Sequence, residues 1–281
     1  DDEPKKEKNE AEAVSYLRLA ADQGLATAQN VLGVCLRDGL GVTKDRVEAA
    51  RHFRLAADQG VAQAQVNLAV ALLEGDGVDK DATESVRYQR LAADQGLAAA
   101  QFGLGVCLVS GTGVAKNEAE AARHFRLAAD QGHAGAQFWL ARCLLHGTGL
   151  AKDDTEAVRY LHLAADQGFA EAQNSLGVRL LQGTGVAKDV AEGERYLRLA
   201  AAQGVAGAKQ NLATLMPAAP FPFALTLLQL AGLALLVFGG LGLWDKSRSW
   251  SSYSLWLMLG GFFLEGLHTA LTRDRPSRKN A

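Results

Sequence analysis

The string Ala-Ala-Asp-Gln-Gly ends at Gly24, Gly60, Gly96, Gly132 and Gly168, and a variant, Ala-Ala-Ala-Gln-Gly, ends at Gly204. Every interval is 36 residues. A fixed period of this length restricts a chain to architectures that stack one supersecondary unit on the next. A second mark, Gly-x-Gly, recurs at Gly39/Gly41, Gly75/Gly77, Gly111/Gly113, Gly147/Gly149 and Gly183/Gly185, followed at one offset by Lys44, Lys80, Lys116, Lys152 and Lys188. Lys8-Asn9 matches Lys116-Asn117, so six units fill residues 9–216, after a polar segment at 1–8.

Each unit reads as a pair of helices. In the second unit, Asp45 is placed to cap a helix running through Ala57, a stretch of good helix formers without proline. Gly60 ends it, since glycine enters the left-handed conformation that closes a helix. A second helix is expected from Ala62 to Glu74, stopping at Gly75. Its repeated positions are Ala64, Gln65, Leu68 and Leu72, and leucines four apart beside small residues form a buried stripe. A small-residue column (Gly33, Ala69, Gly105, Ala141, Gly177, Ala213) predicts close helix approach. No single unit can bury its apolar face, so the units must stack. The predicted fold class is all-α: an α/α solenoid of six 36-residue helix pairs, followed by a two-helix transmembrane hairpin.

The pattern Leu-Ala-Ala-Asp-Gln-Gly-x-Ala-x-Ala-Gln-x-x-Leu-Gly, then Gly-x-Gly-Val-x-Lys-Asp, resembles the Sel-one-like repeat, a relative of the tetratricopeptide repeat. The resemblance covers about three quarters of the chain. It implies an α/α superhelix acting as a protein-interaction scaffold, often an adaptor in membrane-associated complexes. One class assists endoplasmic-reticulum quality control, with repeats ahead of a membrane anchor. It brings no shared catalytic residues to carry over.

The remainder of the chain differs in kind. The net charge of −2 averages six basic and three acidic residues over 217–281 against an acidic excess over 1–216. Such a balance excludes a dedicated nucleic-acid binder. All five prolines (Pro4, Pro217, Pro220, Pro222, Pro276) lie outside residues 5–216. The proline-rich linker 217–222 breaks the repeat, because proline cannot continue its helix. Residues 223–244 are 22 uncharged positions ending at Trp244, and about 20 such residues cross a bilayer. A loop at 245–251 leads to a second expected span over 252–272, with Trp250, Tyr253 and Trp256 as interfacial aromatics. The basic tail 273–281 follows.

Glu265 and His268, one turn apart in the second span, are candidates for a polar contact inside the membrane. Such a group is costly in hydrocarbon unless it is paired or close to the edge. Two spans return the tail to the side of the repeats. Lys209, Arg273, Arg275, Arg278 and Lys279 outnumber Lys246 and Arg248 in the loop. The positive-inside rule then puts repeats and tail on the cytoplasmic, matrix or stromal side, with an organellar inner membrane favoured and the ER membrane as the alternative. Asp1 rather than Met opens the sequence, which suits removal of a targeting segment.

Cys35, Cys107 and Cys143 share one phase of the repeat, too far apart for disulfides, and are expected as buried free thiols. His52 and His124 alternate with Tyr16, Tyr88, Tyr160 and Tyr196 in one column, which points to packing rather than metal binding. The Gly-Thr-Gly-Val-Ala-Lys runs at Gly111 and Gly183 fit helix-to-helix turns and match no phosphate loop. Arginines 51, 87, 123, 159 and 195 each follow a glutamate by three, and a second column (Arg18, Arg54, Arg90, Arg126, Arg198) mostly precedes an aspartate by four. These read as local pairs on a solvated face. The candidate partner-binding residues are Phe102, Phe138 and Trp139. The column after the repeated glutamine reads Asn30, Val66, Phe102, Phe138, Asn174 and Gln210, with Trp139 in the neighbouring column, so aromatics there are expected to be exposed.

No catalytic, cofactor or metal constellation rises above the repeat background. The reading is a non-catalytic, membrane-anchored scaffold. Its expected partners are the lipid bilayer and other protein subunits of a membrane complex, with no nucleic acid, cofactor or small-molecule substrate. An accessory subunit of a large integral-membrane complex, such as a respiratory, ATP-synthase or photosynthetic assembly, is the leading expectation. An adaptor of a membrane quality-control ubiquitin ligase is the alternative, disfavoured by the lack of an Asn-x-Ser/Thr acceptor in the repeats.

Overall fold

The computed structural model describes the backbone of residues 3–215 and the side chains from residue 9 onward. The linker 217–222, the expected spans 223–244 and 252–272, their loop, the tail, Glu265 and His268 all lie outside the described residues. Among the described residues there are twelve α-helices and no strand, and no helix is long and apolar enough to cross a membrane.

The helices pair in chain order: α1 (Glu3–Asp22) with α2 (Ala26–Asp38), α3 (Arg46–Asp58) with α4 (Ala62–Glu74), and α5 (Ala82–Asp94) with α6 (Ala98–Ser110). The second half continues with α7 (Glu118–Asp130) and α8 (Ala134–His146), α9 (Asp154–Asp166) and α10 (Ala170–Gln182), α11 (Val190–Ala202) and α12 (Ala206–Leu215). The six helix pairs are those expected, α4 has its expected bounds, and α3 runs one residue further than expected, to Asp58. The difference lies in α1, which begins at Glu3 and takes in most of the polar segment 1–8. Its Glu and Lys residues are good helix formers, and Pro4 falls in the first turn, where no intrahelical N–H is missed.

Capping explains the regularity. Asp45, Asp81, Asn117, Asp153 and Asp189 each accept a hydrogen bond from the backbone N–H of the glutamate three residues on. This satisfies one orphan donor and puts a carboxylate in the helix's positive first turn. Helices α2, α4, α6, α8 and α10 each stop at the first glycine of a Gly-x-Gly pair, in the left-handed conformation. The second glycine does something else. Gly113, at φ +68°, lies against the carbonyl of Ala82 at the start of α5, and an added Cβ would run into that oxygen. Gly77 meets Arg46 in the same way. The turn that leaves each helix pair is therefore seated on the start of that pair's own first helix, which is a stronger reason for two glycines than the turn alone.

Packing between units is a fit of large into small. Phe53 and Phe125 fill the space left by Gly33 and Gly105, and Leu197 the space left by Gly177. Leu32, Leu68, Leu104, Leu140 and Leu176 are fully enclosed, as are their partners one turn on, such as Leu72 and Leu108. Burial of each such side chain contributes roughly 1.5–3 kcal/mol.

A polar ladder runs through the same seam. Gln29, Gln65, Gln101, Gln137 and Gln173 are buried, and each Nε2 donates to an alanine carbonyl in the last turn of its own unit's first helix. The Oε1 of each accepts from the next unit's Gln59, Gln95, Gln131, Gln167 or Gln203, at 2.7–2.9 Å. A buried amide without partners costs about 1–3 kcal/mol, so satisfying both ends is what permits glutamine in this core.

Candidate protein-interaction surface

The charged face of the first helices is wired differently from the sequence expectation. Arg18, Arg54, Arg90 and Arg126 do not turn to the aspartate four residues on. They cross to Glu48, Glu84, Glu120 and Glu156 of the next unit at 2.6–3.1 Å. Stacking supplies the reason: it brings the next helix's first-turn glutamate beside each arginine. Tyr88, Tyr160 and Tyr196 meanwhile donate to Asp58, Asp130 and Asp166 of the unit before. The Arg54 guanidinium holds the Glu84 carboxyl below its ordinary range. The series breaks where His162 stands in place of arginine, and Arg198 turns back to Glu194 instead.

Arg87, Arg159 and Arg195 do lie near the glutamate three residues before them, but only at 3.6–3.9 Å. Their guanidinium carbons sit 4.2–4.4 Å from the ring centres of Tyr88, Tyr160 and Tyr196. Cation–π attraction thus sets these side chains flat on the helix surface.

One turn further along the same face stand Leu19, Leu55, Leu91, Leu127, Leu163 and Leu199, one in every unit and each 41–59% exposed. Sequence reasoning missed this column because it sits beside the buried alanine pair. The signal was available in the helical phase. The buried stripe of α3 runs through Ala49, Ala50, Phe53, Ala56 and Ala57, and Leu55 falls outside it. A leucine held in six units while 41–59% exposed leaves a large part of its side chain outside the packing of the solenoid. Contiguous exposed apolar surface is the usual mark of a partner site.

Phe102, Phe138 and Trp139 are half-buried, not exposed as expected. They are drawn in by neighbouring rings: Phe102 packs on His133 (ring centres 4.7 Å apart) and Phe138 on Phe169 (5.3 Å) of the next unit, and Trp139 on Phe125 (5.7 Å) of its own helix pair. Arg142 lies over Trp139 at 4.6 Å. In the flanking units the same junction is made by a hydrogen bond, from Asn67 to Asn30 and from Asn211 to Asn174. The three aromatics are therefore gathered at one place, chiefly as packing between units. Their outer edges remain accessible.

His52 and His124 are buried, with Nδ1 unpartnered and Nε2 3.7–3.9 Å from Glu48 and Glu120. Burial, reinforced by Arg51 or Arg123, pushes both pKa values down. Among the described residues no group of three His, Cys, Asp or Glu side chains is placed to hold a metal ion. The three cysteines are free thiols; Cys107 and Cys143 are buried, whereas Cys35 in the first unit is half-buried. Burial raises all three thiol pKa values, which makes them poor nucleophiles.

The repeat pattern of one family, the Sel1 repeat, matches residues 4–25, 26–61, 62–97, 98–133, 134–169 and 170–205. A Sel1 repeat protein from Oxalobacter formigenes is similar in structure, with a TM-score of 0.68 and 32% identity, over 73% of this chain and 82% of that one. A protective antigen of uropathogenic Escherichia coli strains with the same type of fold gives a TM-score of 0.68 and 32% identity over 72% of this chain. The match spans 44% of that antigen, less than half its length. No curated protein sequence matches. Sel1 repeats mediate protein–protein contacts, and the interlocked helix pairs, the shared turns and the six matched segments agree: the chain belongs to the Sel1 repeat family.

Proposed function

We propose that this chain is a membrane-anchored protein-interaction scaffold, and that it serves as an accessory subunit of a large integral-membrane complex. The observation that carries the scaffold reading is the column of six exposed leucines, bordered by arginines laid over tyrosine rings. A stack of rigid units presents such a column at regular spacing, so a partner meets apolar contacts preorganised at little entropic cost. The anchor reading rests on sequence: 22 uncharged residues at 223–244, a second apolar stretch at 252–272, and basic residues gathered beside them. Glu265 and His268 would meet polar groups of a neighbouring subunit within the bilayer, and the repeats would face the cytoplasmic, matrix or stromal side.

The test is biochemical. The full chain is expressed in its native cell type, membranes are washed with alkaline carbonate, and the chain is then purified in mild detergent. Retention in the membrane pellet and recovery at fixed stoichiometry with integral membrane proteins are the expected results. Release by carbonate would end the anchor reading, and recovery without membrane subunits would end the assignment to a complex.

A further inference from the structure

Phe53 and Phe125 occupy the same position two repeats apart, and each fills the space beside a glycine, Gly33 or Gly105. Around them the two junctions are finished differently. Beside Phe125 stand two further rings, Phe102 at 6.0 Å and Trp139 at 5.7 Å, and the Arg142 guanidinium lies 4.6 Å from the Trp139 ring. Beside Phe53 the corresponding residues are Asn30 and Asn67, bonded to each other at 2.9 Å. Two rings are exchanged for two short amides, and a recess of about 230 Å³ opens next to Phe53, with Arg37, Arg46, Asn67, Val70 and Glu74 in its wall. At the repeat in between, Gln89 takes the place of the phenylalanine and lies so close to Gly103 that an added Cβ there would meet its amide.

The recess therefore has a template within the chain. Trp139 packs at the place that Asn67 leaves short, on a phenylalanine and beneath a guanidinium. Both supports recur here: the edge of the Phe53 ring forms the floor, and Arg37 stands 6.0 Å from its centre as a cationic wall. An apolar cavity of about 150 Å³ accepts benzene, so the larger space suits a two-ring system. Val70, 44% exposed, gives the entrance an apolar side. The rim also carries a sign. Arg37 pairs with Asp38 at 2.8 Å and Arg46 with Asp76 at 2.6 Å, while Glu74 makes no ion pair among the described residues. One carboxylate is left over to accept from an incoming donor or to meet a cation.

We propose that this recess is a docking site for a tryptophan side chain of a partner protein, next to a basic residue that meets Glu74. The indole takes the place that Trp139 occupies two repeats later. The site is built from α2, α3 and α4 and shares no residue with the exposed leucine column, so it stands or falls apart from that column and from the membrane anchor.

The probe is an acetylated fluorotryptophan–lysine amide, followed by fluorine NMR against the full chain in mild detergent. Saturable binding to the natural chain is expected at about 0.1–1 mM, the range open to one well-enclosed aromatic side chain. Asn67→Trp fills the recess with the chain's own indole. It should weaken binding at least tenfold and melt no lower than the natural chain, as Trp139 over Phe125 shows such a ring to be accommodated. A natural chain that binds no better than this variant overturns the proposal. So does an Asn67→Trp chain that melts lower, because the recess would then not take an indole. Displacement by the corresponding leucine–lysine amide as readily as by tryptophan–lysine overturns the choice of occupant. Free tryptophan competing equally well would make this a small-molecule site and overturn docking by a partner. At low salt a tryptophan–glutamate amide should bind roughly threefold less well than tryptophan–lysine, and Glu74→Gln should close that gap. A gap that survives Glu74→Gln overturns the role of Glu74.

Discussion

The seam between units and the face of the first helices are equally repetitive, yet they are repetitive for different reasons. In the seam, Gln101 is enclosed, bonded at both ends of its amide, and packed among leucines that no solvent reaches. On the face, Leu127 recurs with the same 36-residue period and stands 45% exposed. Periodicity marks what each unit must contain; burial separates what the fold needs from what the fold leaves free. Substitution should therefore split the two sets: seam changes cost stability, and face changes cost binding alone.

The largest effect belongs at the turn seated on the start of its own helix pair. Gly113→Ala forces a side chain into a left-handed backbone and drives its Cβ against the Ala82 carbonyl, which as backbone cannot step aside. Left-handed strain and overpacking together should cost roughly 2–5 kcal/mol, read as a lower urea midpoint. Gly132→Ala, at a turn with open space around it, keeps only the strain and should cost less. Equal losses at the two positions would remove the distinction between a turn glycine and a seated glycine.

Next in size is the ladder. Gln101→Leu keeps the volume but removes the acceptor of the Gln131 amide and one of the two donors to the Ala93 carbonyl, which keeps its bond from the Gly96 N–H. Gln131 retains its bond to the Leu127 carbonyl, so the expected loss is about 1–3 kcal/mol rather than more. Hydrogen exchange should localise it to the junction of α6 and α7. A stable Gln101→Leu chain would show the ladder to be incidental to the seam.

The helix pairs, the aspartate caps and the small column facing Phe53 and Phe125 follow from local rules that a single unit displays. The destinations of Arg54, Gln95 and Tyr88 do not, because each reaches a residue 30 positions earlier or later. Sequence spacing suggested neighbours within one helix, and stacking supplied nearer ones. The exposed leucines were missed for the opposite reason: leucine beside alanine reads as core until the helical phase is counted. The exposure expected for Phe138 and Trp139 is reduced by packing on Phe169 of the next unit and on Phe125 of the paired helix, neither of which residue spacing displays.

A smaller and pH-dependent effect arises where histidine occupies the tyrosine slot. His52 and His124 are buried, and their pKa values lie below the ordinary 6.5. Below about pH 6.5 the unfolded chain binds protons that the folded chain refuses. Their contribution to stability is thus complete above that pH and is lost as pH falls through the folded values. His52→Tyr/His124→Tyr should remove this dependence. It should also gain about 1 kcal/mol per site, since tyrosine here can donate to Asp22 and Asp94 as Tyr88 does to Asp58. Thermal melts at pH 5 and pH 8 decide it, and an unchanged gap between them would put the acid sensitivity elsewhere.

The smallest expected change in stability is the most informative about function. Leu91→Gln/Leu127→Gln/Leu163→Gln removes three exposed side chains and replaces them with a good helix former. Each substitution should therefore alter stability by less than about 0.5 kcal/mol. The Arg90–Glu120 and Arg126–Glu156 pairs beside them remain. If the column is the partner surface, the triple variant melts like the natural chain but no longer recovers its partners from detergent-solubilised membranes. If it melts early, the leucines belong to the fold after all. If it melts normally and keeps every partner, the contact lies elsewhere, and the accessible edges of Phe102, Phe138 and Trp139 become the next face to change.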